Sequence, residues 1–320
     1  MIKGKPLPKG GTIGVPSPGW AYHNRSEILR GVEWWEARGY RVKLASNIFS
    51  RQGYVAGDPK ERADGLMEMF ADPDVDIVQC ADAGFGSAHL LPHIDFSVIR
   101  ENPKAFIGYS DITTLHNAIA KETDLVTFYG PLLTSHNQKT SDKKSDESML
   151  KALTTSEPLG ELPRDPDDPY VRVFNGGRVT APMVGGCLWL LTHQLGTPWQ
   201  ADFRGKILFF EDVSCPPWYI DAQLTQMAQA GMFEGVLGIV IGDMQAVNWD
   251  NQEMHEWPQL VSIEDVFEEH IEPLGVPTLY GLPMGHGKHL WTFPLGVTAT
   301  LDADARQLVI EEAALEEEET

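Results

Sequence analysis

The sequence is poor in cysteine and in basic residues, and it contains no long hydrophobic run. Its three cysteines, Cys80, Cys187 and Cys215, are too few for a disulfide scaffold or for a zinc site made of four thiolates. Only 25 Lys and Arg stand against 46 Asp and Glu, so the formal net charge is −21. This shortage of positive charge argues against nucleic acid and anionic membranes as partners, because both are bound through basic patches.

The absence of long apolar segments bears on the cellular compartment in which we expect the protein. No stretch approaches the ~20 apolar residues of a membrane helix. No apolar core follows the basic start at residues 1–6, as a signal peptide would require. We therefore expect a cytoplasmic protein without a membrane partner. Hydrophobic residues make up 42% of the 320 residues, which is enough for packed cores, and this length predicts two domains.

The first 130 residues alternate between strand and helix patterns. Short apolar runs predict strands at 12–15, 41–45, 76–80, 105–109 and 125–129. Helical patterns cover residues 24–38, 58–70 and 111–121. The second of these begins with Asp58 as N-cap, Pro59 at the first helical position and Glu61 two residues later. This alternation predicts a parallel sheet with helices on its faces.

Polar and Pro/Asp-rich segments between residues 137 and 175 interrupt the alternation. We place an N-terminal domain at 1–140, a linker at 141–172 and a smaller C-terminal domain at 173–320. The second half predicts strands at 206–210 and 235–241, a helix at 262–272 and a closing hairpin at 298–310. The predicted fold class is α/β, with an N-terminal parallel-sheet domain, a smaller C-terminal α/β domain and the active site in the cleft between them.

Ser110 is the first candidate for chemistry, because ligands of parallel sheets bind beyond the carboxyl ends of the strands. It lies on the turn between a predicted strand and a predicted helix, where its hydroxyl and the free amides of the first helical turn face the sheet edge. This resembles a nucleophile elbow, although Ile112 stands where G-x-S-x-G has its second glycine. The alternative is that Ser110 only caps the helix.

The segment from Asp82 to Gly86 follows another predicted strand and contains Gly84, whose lack of a side chain lets the backbone approach a ligand closely. A dinucleotide loop is disfavoured, because His89 occupies the third glycine position of G-x-G-x-x-G. A tight turn and an oxyanion-hole amide both remain open for this segment.

Glu211 and His286 are polar residues in apolar surroundings, one at the end of a predicted strand and one between glycines. An exposed strand end and a structural histidine are the alternatives. With Ser110 they give the chain order Ser, Glu, His, which contains the parts for covalent acyl transfer. The pairs His286/His289 and His89/His93 lack an H-E-x-x-H motif and accompanying carboxylates, so no metal site is predicted.

Several motifs, in order, resemble the LD-carboxypeptidase family of serine peptidases, which also contains the microcin C immunity peptidases. The nucleophile motif G-[FY]-S-D-x-T is matched at 108–113, and the match runs along nearly the whole chain. The other matching segments are 14–18, 83–95, 185–186, 196–198, 209–213, 285–286 and 293–296.

The resemblance implies roles residue by residue. Ser110 is expected to be the nucleophile, Glu211 the orienting carboxylate and His286 the general base, while the amides of Gly84 and Asp111 form the oxyanion hole. It also implies a cytoplasmic homodimer without a cofactor. The triad would be shared between the two domains.

The expected reaction is cleavage of an L,D amide bond, such as that between meso-diaminopimelate or lysine and D-alanine in murein tetrapeptides. The alternative is a microcin C immunity-type hydrolase acting on the amide of an aminoacyl-nucleotide, for which tryptophans could form a base slot. A binding protein or inactive hydrolase that kept the fold is the third hypothesis. Asp82 and Cys187 stand where the family often has Arg and Asn, so the substrate is less defined than the triad. Lys288 is either a holder of the substrate carboxylate or a surface lysine.

Overall fold

The computed structural model describes residues 1–22, 24–136, 142–167, 169–245 and 262–316. The strands are β1 (Thr12–Val15), β2 (Arg41–Leu44), β3 (Ile77–Gln79), β4 (Ala105–Gly108), β5 (Thr127–Tyr129), β6 (Gly160–Glu161), β7 (Arg172–Asn175), β8 (Arg178–Cys187), β9 (Ile207–Val213), β10 (Gly238–Gln245), β11 (Thr278–Tyr280), β12 (Phe293–Leu295), β13 (Thr298–Asp302) and β14 (Gln307–Ile310).

The α-helices are α1 (Arg25–Glu36), α2 (Pro59–Ala71), α3 (Phe96–Glu101), α4 (Thr113–Thr123), α5 (Lys143–Thr154), α6 (Leu188–His193), α7 (Pro217–Gln229) and α8 (Ile263–His270). Short 3₁₀ helices cover Ser87–His93, Ser110–Ile112, Leu133–His136 and Glu272–Leu274. None of these described helices is long and apolar enough to cross a membrane.

The first sheet has six strands in the order β12-β5-β4-β3-β1-β2. The first five strands of the chain pair in parallel, as the sequence predicts, while β12 adds antiparallel to β5 with Phe293 opposite Tyr129. Helix α2 begins at the predicted Pro59, and the Asp58 carboxylate accepts the N–H of Glu61. Because β3, β4 and β5 are adjacent and parallel, their carboxyl ends meet at one edge of this sheet.

The second sheet has eight strands in the order β6-β14-β13-β8-β9-β10-β11-β7. Its centre, β8 to β11, is parallel, and antiparallel strands flank it on both sides. The closing hairpin is confirmed as β13 and β14. Helix α8 starts with a reciprocal capping box between Ser262 and Asp265. The α/β fold class with two parallel-sheet units is thus confirmed.

The segment 141–172, predicted as a linker, contains α5 and β6. Met149, Ala152 and Leu153 lie on one face of α5 and are buried in the same core as residues of both sheets. Strand β12, from the predicted C-terminal domain, completes the first sheet. The two halves therefore share packed structure around the place where their strand ends meet.

Candidate active site

Ser110 lies two residues beyond β4, on a 3₁₀ turn that leads into α4. Its φ of +62° is in the left-handed region, which costs a non-glycine residue roughly 1–2 kcal/mol. Helix α4 starts only at Thr113 and has no side-chain cap, so the capping role considered for Ser110 is not realised. A strained serine between a strand and a helix fits the elbow that the sequence indicates.

Glu211 and His286 meet directly. Glu211 lies on β9 with its side chain fully buried, and its Oε2 lies 2.6 Å from Nδ1 of His286. The backbone N–H of His286 donates to the same oxygen at 3.2 Å. Gly285 permits this approach, because a Cβ built there would lie 2.4 Å from Glu211 Oε2. The two residues paired by sequence reasoning are therefore joined by the fold.

Tyr129 links this pair to Ser110. Its hydroxyl donates to Glu211 Oε1 at 2.5 Å and accepts the backbone N–H of Ser110 at 3.1 Å. The ring of Tyr109 lies 4.9 Å from that of His286. Within the part of the chain that the structure describes, the Ser110 hydroxyl makes no hydrogen bond to His286. The three predicted residues thus share one small region.

Tyr129 was missed by sequence reasoning. Its only signal was its position at the carboxyl end of β5, beside the end of β4 that carries Ser110. Aromatic residues at strand ends are common in cores, so this position alone did not single it out.

The predicted oxyanion segments are fixed to each other through Ser87. Asp111 Oδ2 accepts the N–H of Ser87 at 2.9 Å, and the Ser87 hydroxyl donates to the Asp111 carbonyl at 2.6 Å. Gly84 has a φ of +77°, and a Cβ there would meet the Trp20 ring at 2.4 Å. The N–H groups of Gly84 and Asp111 find no backbone acceptor among the described residues.

Buried acids set the electrostatics around His286. Burial alone would lower the pKa of His286, but the charge of Glu211 and its hydrogen bond outweigh this and raise it. Burial, together with the charge of Glu211, raises the pKa of Asp212 to about 6 and that of Asp243 to about 7. Burial raises the pKa of Tyr109 to about 12. The site therefore favours a cationic histidine at acidic pH.

The residues that depart from the family pattern lie near the site. Cys187 ends β8, and its thiol donates to Asp212 Oδ1 at 3.6 Å, beside Glu211. The Asp82 carboxylate accepts the backbone N–H of Ala83 in the segment before Gly84. Neither of these departures interrupts the contacts of Glu211 with His286 and Tyr129.

Lys288 is 70% exposed and ion-paired with Asp167, which agrees with the surface alternative. Asp165, Asp167 and His289 place possible ligand atoms within 4.8 Å of one another. Lys288 already supplies a cation to this group, and exposed carboxylates commonly cluster without a metal. The group therefore gives no ground for assigning a metal ion.

An aromatic cavity of 560 Å³ opens beside the Gly84 segment and Asp111. Trp20 and Phe85 are 42% and 44% exposed, with ring centroids 5.7 Å apart. Phe85 lies 5.3 Å from Trp189, which packs 4.3 Å from His193. The residues lining this cavity include no Lys or Arg among those described. Its walls suit an uncharged flat group.

Comparisons with known proteins agree with this geometry. The model of the LD-carboxypeptidase N-terminal domain matches residues 13–130, and that of the C-terminal domain matches residues 180–301. The probable murein peptide carboxypeptidase of Bacillus subtilis (strain 168) is 36% identical over 97% of this chain and 94% of its own.

Two solved structures extend the likeness to the fold. MccF in complex with glutamyl sulfamoyl guanosine has a TM-score of 0.85 at 26% identity, covering 99% of this chain and 100% of its own. The muramoyltetrapeptide carboxypeptidase from Oxalobacter formigenes has a TM-score of 0.78 at 26% identity, covering 93% and 99%. The family that the motifs indicated is confirmed: the chain belongs to the LD-carboxypeptidase family and is a peptidase.

Proposed function

We propose that this peptidase is a serine-type carboxypeptidase that cleaves L,D amide bonds in murein peptides with Ser110, His286 and Glu211. The observation that carries the proposal is the 2.6 Å contact of His286 Nδ1 with buried Glu211, next to a strained Ser110. A carboxylate bound to Nδ1 leaves Nε2 to exchange protons, as a general base requires.

The mechanism follows from these roles. The Ser110 Oγ attacks the amide carbon while His286 takes its proton, and the carbonyl oxygen becomes an oxyanion held by the amides of Gly84 and Asp111. Glu211 stabilises the imidazolium. His286 then protonates the leaving amine, such as that of D-alanine, and the acyl-enzyme remains. Water, deprotonated by His286, hydrolyses the ester, which restores Ser110 and releases the new carboxylate.

The substrate class rests on the relatives. The proteins of Bacillus subtilis and Oxalobacter formigenes are named for murein peptides and muramoyltetrapeptide. We transfer that class to this chain because the alignments span nearly its whole length.

One observation favours a second candidate, an amide hydrolase acting on an aminoacyl-nucleotide. The cavity between Trp20, Phe85 and Trp189 offers ring faces, its described lining has no Lys or Arg, and flat bases stack on such faces. The solved structure of MccF holds glutamyl sulfamoyl guanosine, which is a ligand of this kind.

One assay separates the candidates. The protein is incubated with an L,D-tetrapeptide and, separately, with an aminoacyl-sulfamoyl-adenosine, and products are followed by mass spectrometry. Release of D-alanine supports the first function, and cleavage of the nucleotide amide supports the second. Ser110→Ala should lose about 10³-fold or more in kcat, while Ser97→Ala, an exposed serine on α3, should match the wild type. Turnover of neither substrate would contradict both candidate functions.

We further propose that the protein works in the cytoplasm as a homodimer, with domains at 1–140 and 173–320 joined through 141–172. The family resemblance supports this assembly. Light scattering coupled to gel filtration tests it, and a monomeric mass at micromolar concentration would contradict it.

A further inference from the structure

We propose that Tyr129 is a positioning residue of this active site. Its single hydroxyl group fixes the position of the turn that carries Ser110 relative to the carboxylate of Glu211. The inference rests on the proposed function, because it assumes that Ser110 and Glu211 act together. It adds a residue that neither the motifs nor the chain order indicate.

The hydroxyl of Tyr129 both donates and accepts a hydrogen bond. Its proton goes to Glu211 Oε1 at 2.5 Å, and its oxygen accepts the N–H of Ser110 at 3.1 Å. Glu211 is fully buried on β9 of the second sheet, while Ser110 follows β4 of the first. A single atom therefore connects the two sheets at the point where the triad assembles.

The ring of Tyr129 is held so that the hydroxyl has little freedom. It is fully buried and stacks on Phe293 of β12 at 5.6 Å, and Phe209 of β9 packs edge-on at 5.3 Å. Phe209 lies two residues before Glu211 on β9, so this contact ties the ring of Tyr129 to the strand that carries Glu211. Burial raises the pKa of this phenol well above its usual value, so it stays a donor.

The arrangement has a chemical consequence for Glu211. Oε2 receives the two N–H groups of His286, and Oε1 receives the proton of Tyr129. A donor on Oε1 draws negative charge toward that oxygen, so Oε2 attracts the imidazolium of His286 less strongly. Without that donor, Glu211 would hold the imidazolium form of His286 more tightly, so His286 would become neutral only at higher pH.

The arrangement also has a consequence for Ser110. The backbone N–H of Ser110 donates to the Tyr129 hydroxyl, so this N–H stabilises the turn and is not available to bind the oxyanion. This hydrogen bond supports the left-handed conformation of Ser110, whose φ is +62°.

The test is Tyr129→Phe, which keeps the ring and removes the hydroxyl. We expect kcat to fall about 10- to 100-fold, the range that corresponds to one hydrogen bond to a charged group. KM should stay within about threefold. The acid limb of the kcat/KM profile should move to higher pH. A role confined to core packing would instead lower thermal stability and leave the midpoint of that limb in place.

Tyr40→Phe is the matched control. Tyr40 precedes β2 at the opposite end of the parallel strands, and its hydroxyl makes no hydrogen bond among the described residues. In a Glu211→Gln background, Tyr129→Phe should lower kcat less than it does in the wild-type protein, because its contact with the carboxylate is already lost and only its contact with Ser110 remains to be removed.

If Tyr129→Phe folds poorly, 3-fluorotyrosine at position 129 keeps the hydroxyl and makes it a stronger donor. The acid limb should then move to lower pH, opposite to the phenylalanine variant. An unmoved limb in the folded variants overturns the role of Tyr129. Full activity of Ser110→Ala would instead overturn the triad, so the two failures are distinguishable.

Discussion

His286 is held by one oxygen of Glu211 at two points, through the ring Nδ1 at 2.6 Å and through the backbone N–H at 3.2 Å. Two donors from the same residue fix both the loop and the ring orientation. A carboxylate at Nδ1 selects the tautomer whose Nε2 is free to accept a proton. The fully buried position of Glu211 keeps this interaction away from water.

Glu211→Gln should lower kcat about 10³- to 10⁴-fold, because an amide cannot stabilise the imidazolium and disfavours the required tautomer. The amide nitrogen of Gln would occupy the position of Oε1 or Oε2 and cannot accept, so a buried donor of Tyr129 or His286 is left unpaired, at a cost of roughly 1–3 kcal/mol. Release of D-alanine measures the first effect and urea denaturation the second. Glu33→Gln, on the exposed face of α1, is the control and should change neither. Retained activity in Glu211→Gln would remove Glu211 from the mechanism.

The pH dependence should report the raised pKa of His286. The base must be neutral to act, so kcat/KM should fall as pH drops, with its midpoint above 6.5, the ordinary histidine value. Protonation of His286 affects the stability of the fold in the opposite direction from activity. Protonation of His286 stabilises the fold fully below pH 6.5, and this contribution is lost as pH rises through the folded-state pKa.

A kcat/KM profile from pH 4 to 10 checks the midpoint. Buried His116, whose pKa is lowered to about 4, is the contrasting histidine. A midpoint near 4 would exclude His286 as the titrating base.

Gly285→Ala should lower activity. The φ of Gly285 is +128°, and the Cβ of an alanine there would lie 2.4 Å from Glu211 Oε2. We expect Glu211 to be displaced and kcat to fall at least about 10-fold, as for losing one well-placed hydrogen bond. Gly275→Ala is matched to it, because its φ is +68° with nothing within 4 Å of the new Cβ. That control should lose only about 1 kcal/mol of stability and no activity. Equal kcat in the two variants would contradict the contact.

The sequence predicted what is local or strongly patterned. The cap of α2 at Asp58 and the parallel strands follow from periodicity and from the chemistry of single residues. Helix α5 was missed because its polar Lys/Ser/Asp start hides the apolar face at Met149 and Leu153. Strand β12 was missed because three residues carry too little pattern, and only its pairing with β5 makes it a strand.

The residues of the candidate site also fall into those that the sequence indicated and one that it did not. Ser110, Glu211 and His286 were named from their positions at element ends and from the family motifs. Tyr129 was not, because its role depends on a hydroxyl that reaches residues 19 positions before it and 82 after it. Such a contact is set by how two sheets pack, and one sequence does not contain that information.

Asp243 provides the last prediction, a stability effect that depends on pH. Burial is the main cause that raises its pKa to about 7, and its Oδ2 is buried without a hydrogen-bond partner in the described part of the chain. A carboxyl whose pKa is raised by folding destabilises the fold once it is ionised, so this cost grows from pH 3.8 and is complete above pH 7.

Asp243→Asn should therefore stabilise the protein at pH 8, by about 4 kcal/mol at most, and the gain should shrink toward pH 4. Urea denaturation at both pH values measures it. Asp202→Asn is the control of opposite sign, because Arg204 lowers the pKa of Asp202; this half-exposed pair should give only a small loss at pH 8. A pH-independent change in Asp243→Asn would show that the carboxyl is not destabilising as an anion.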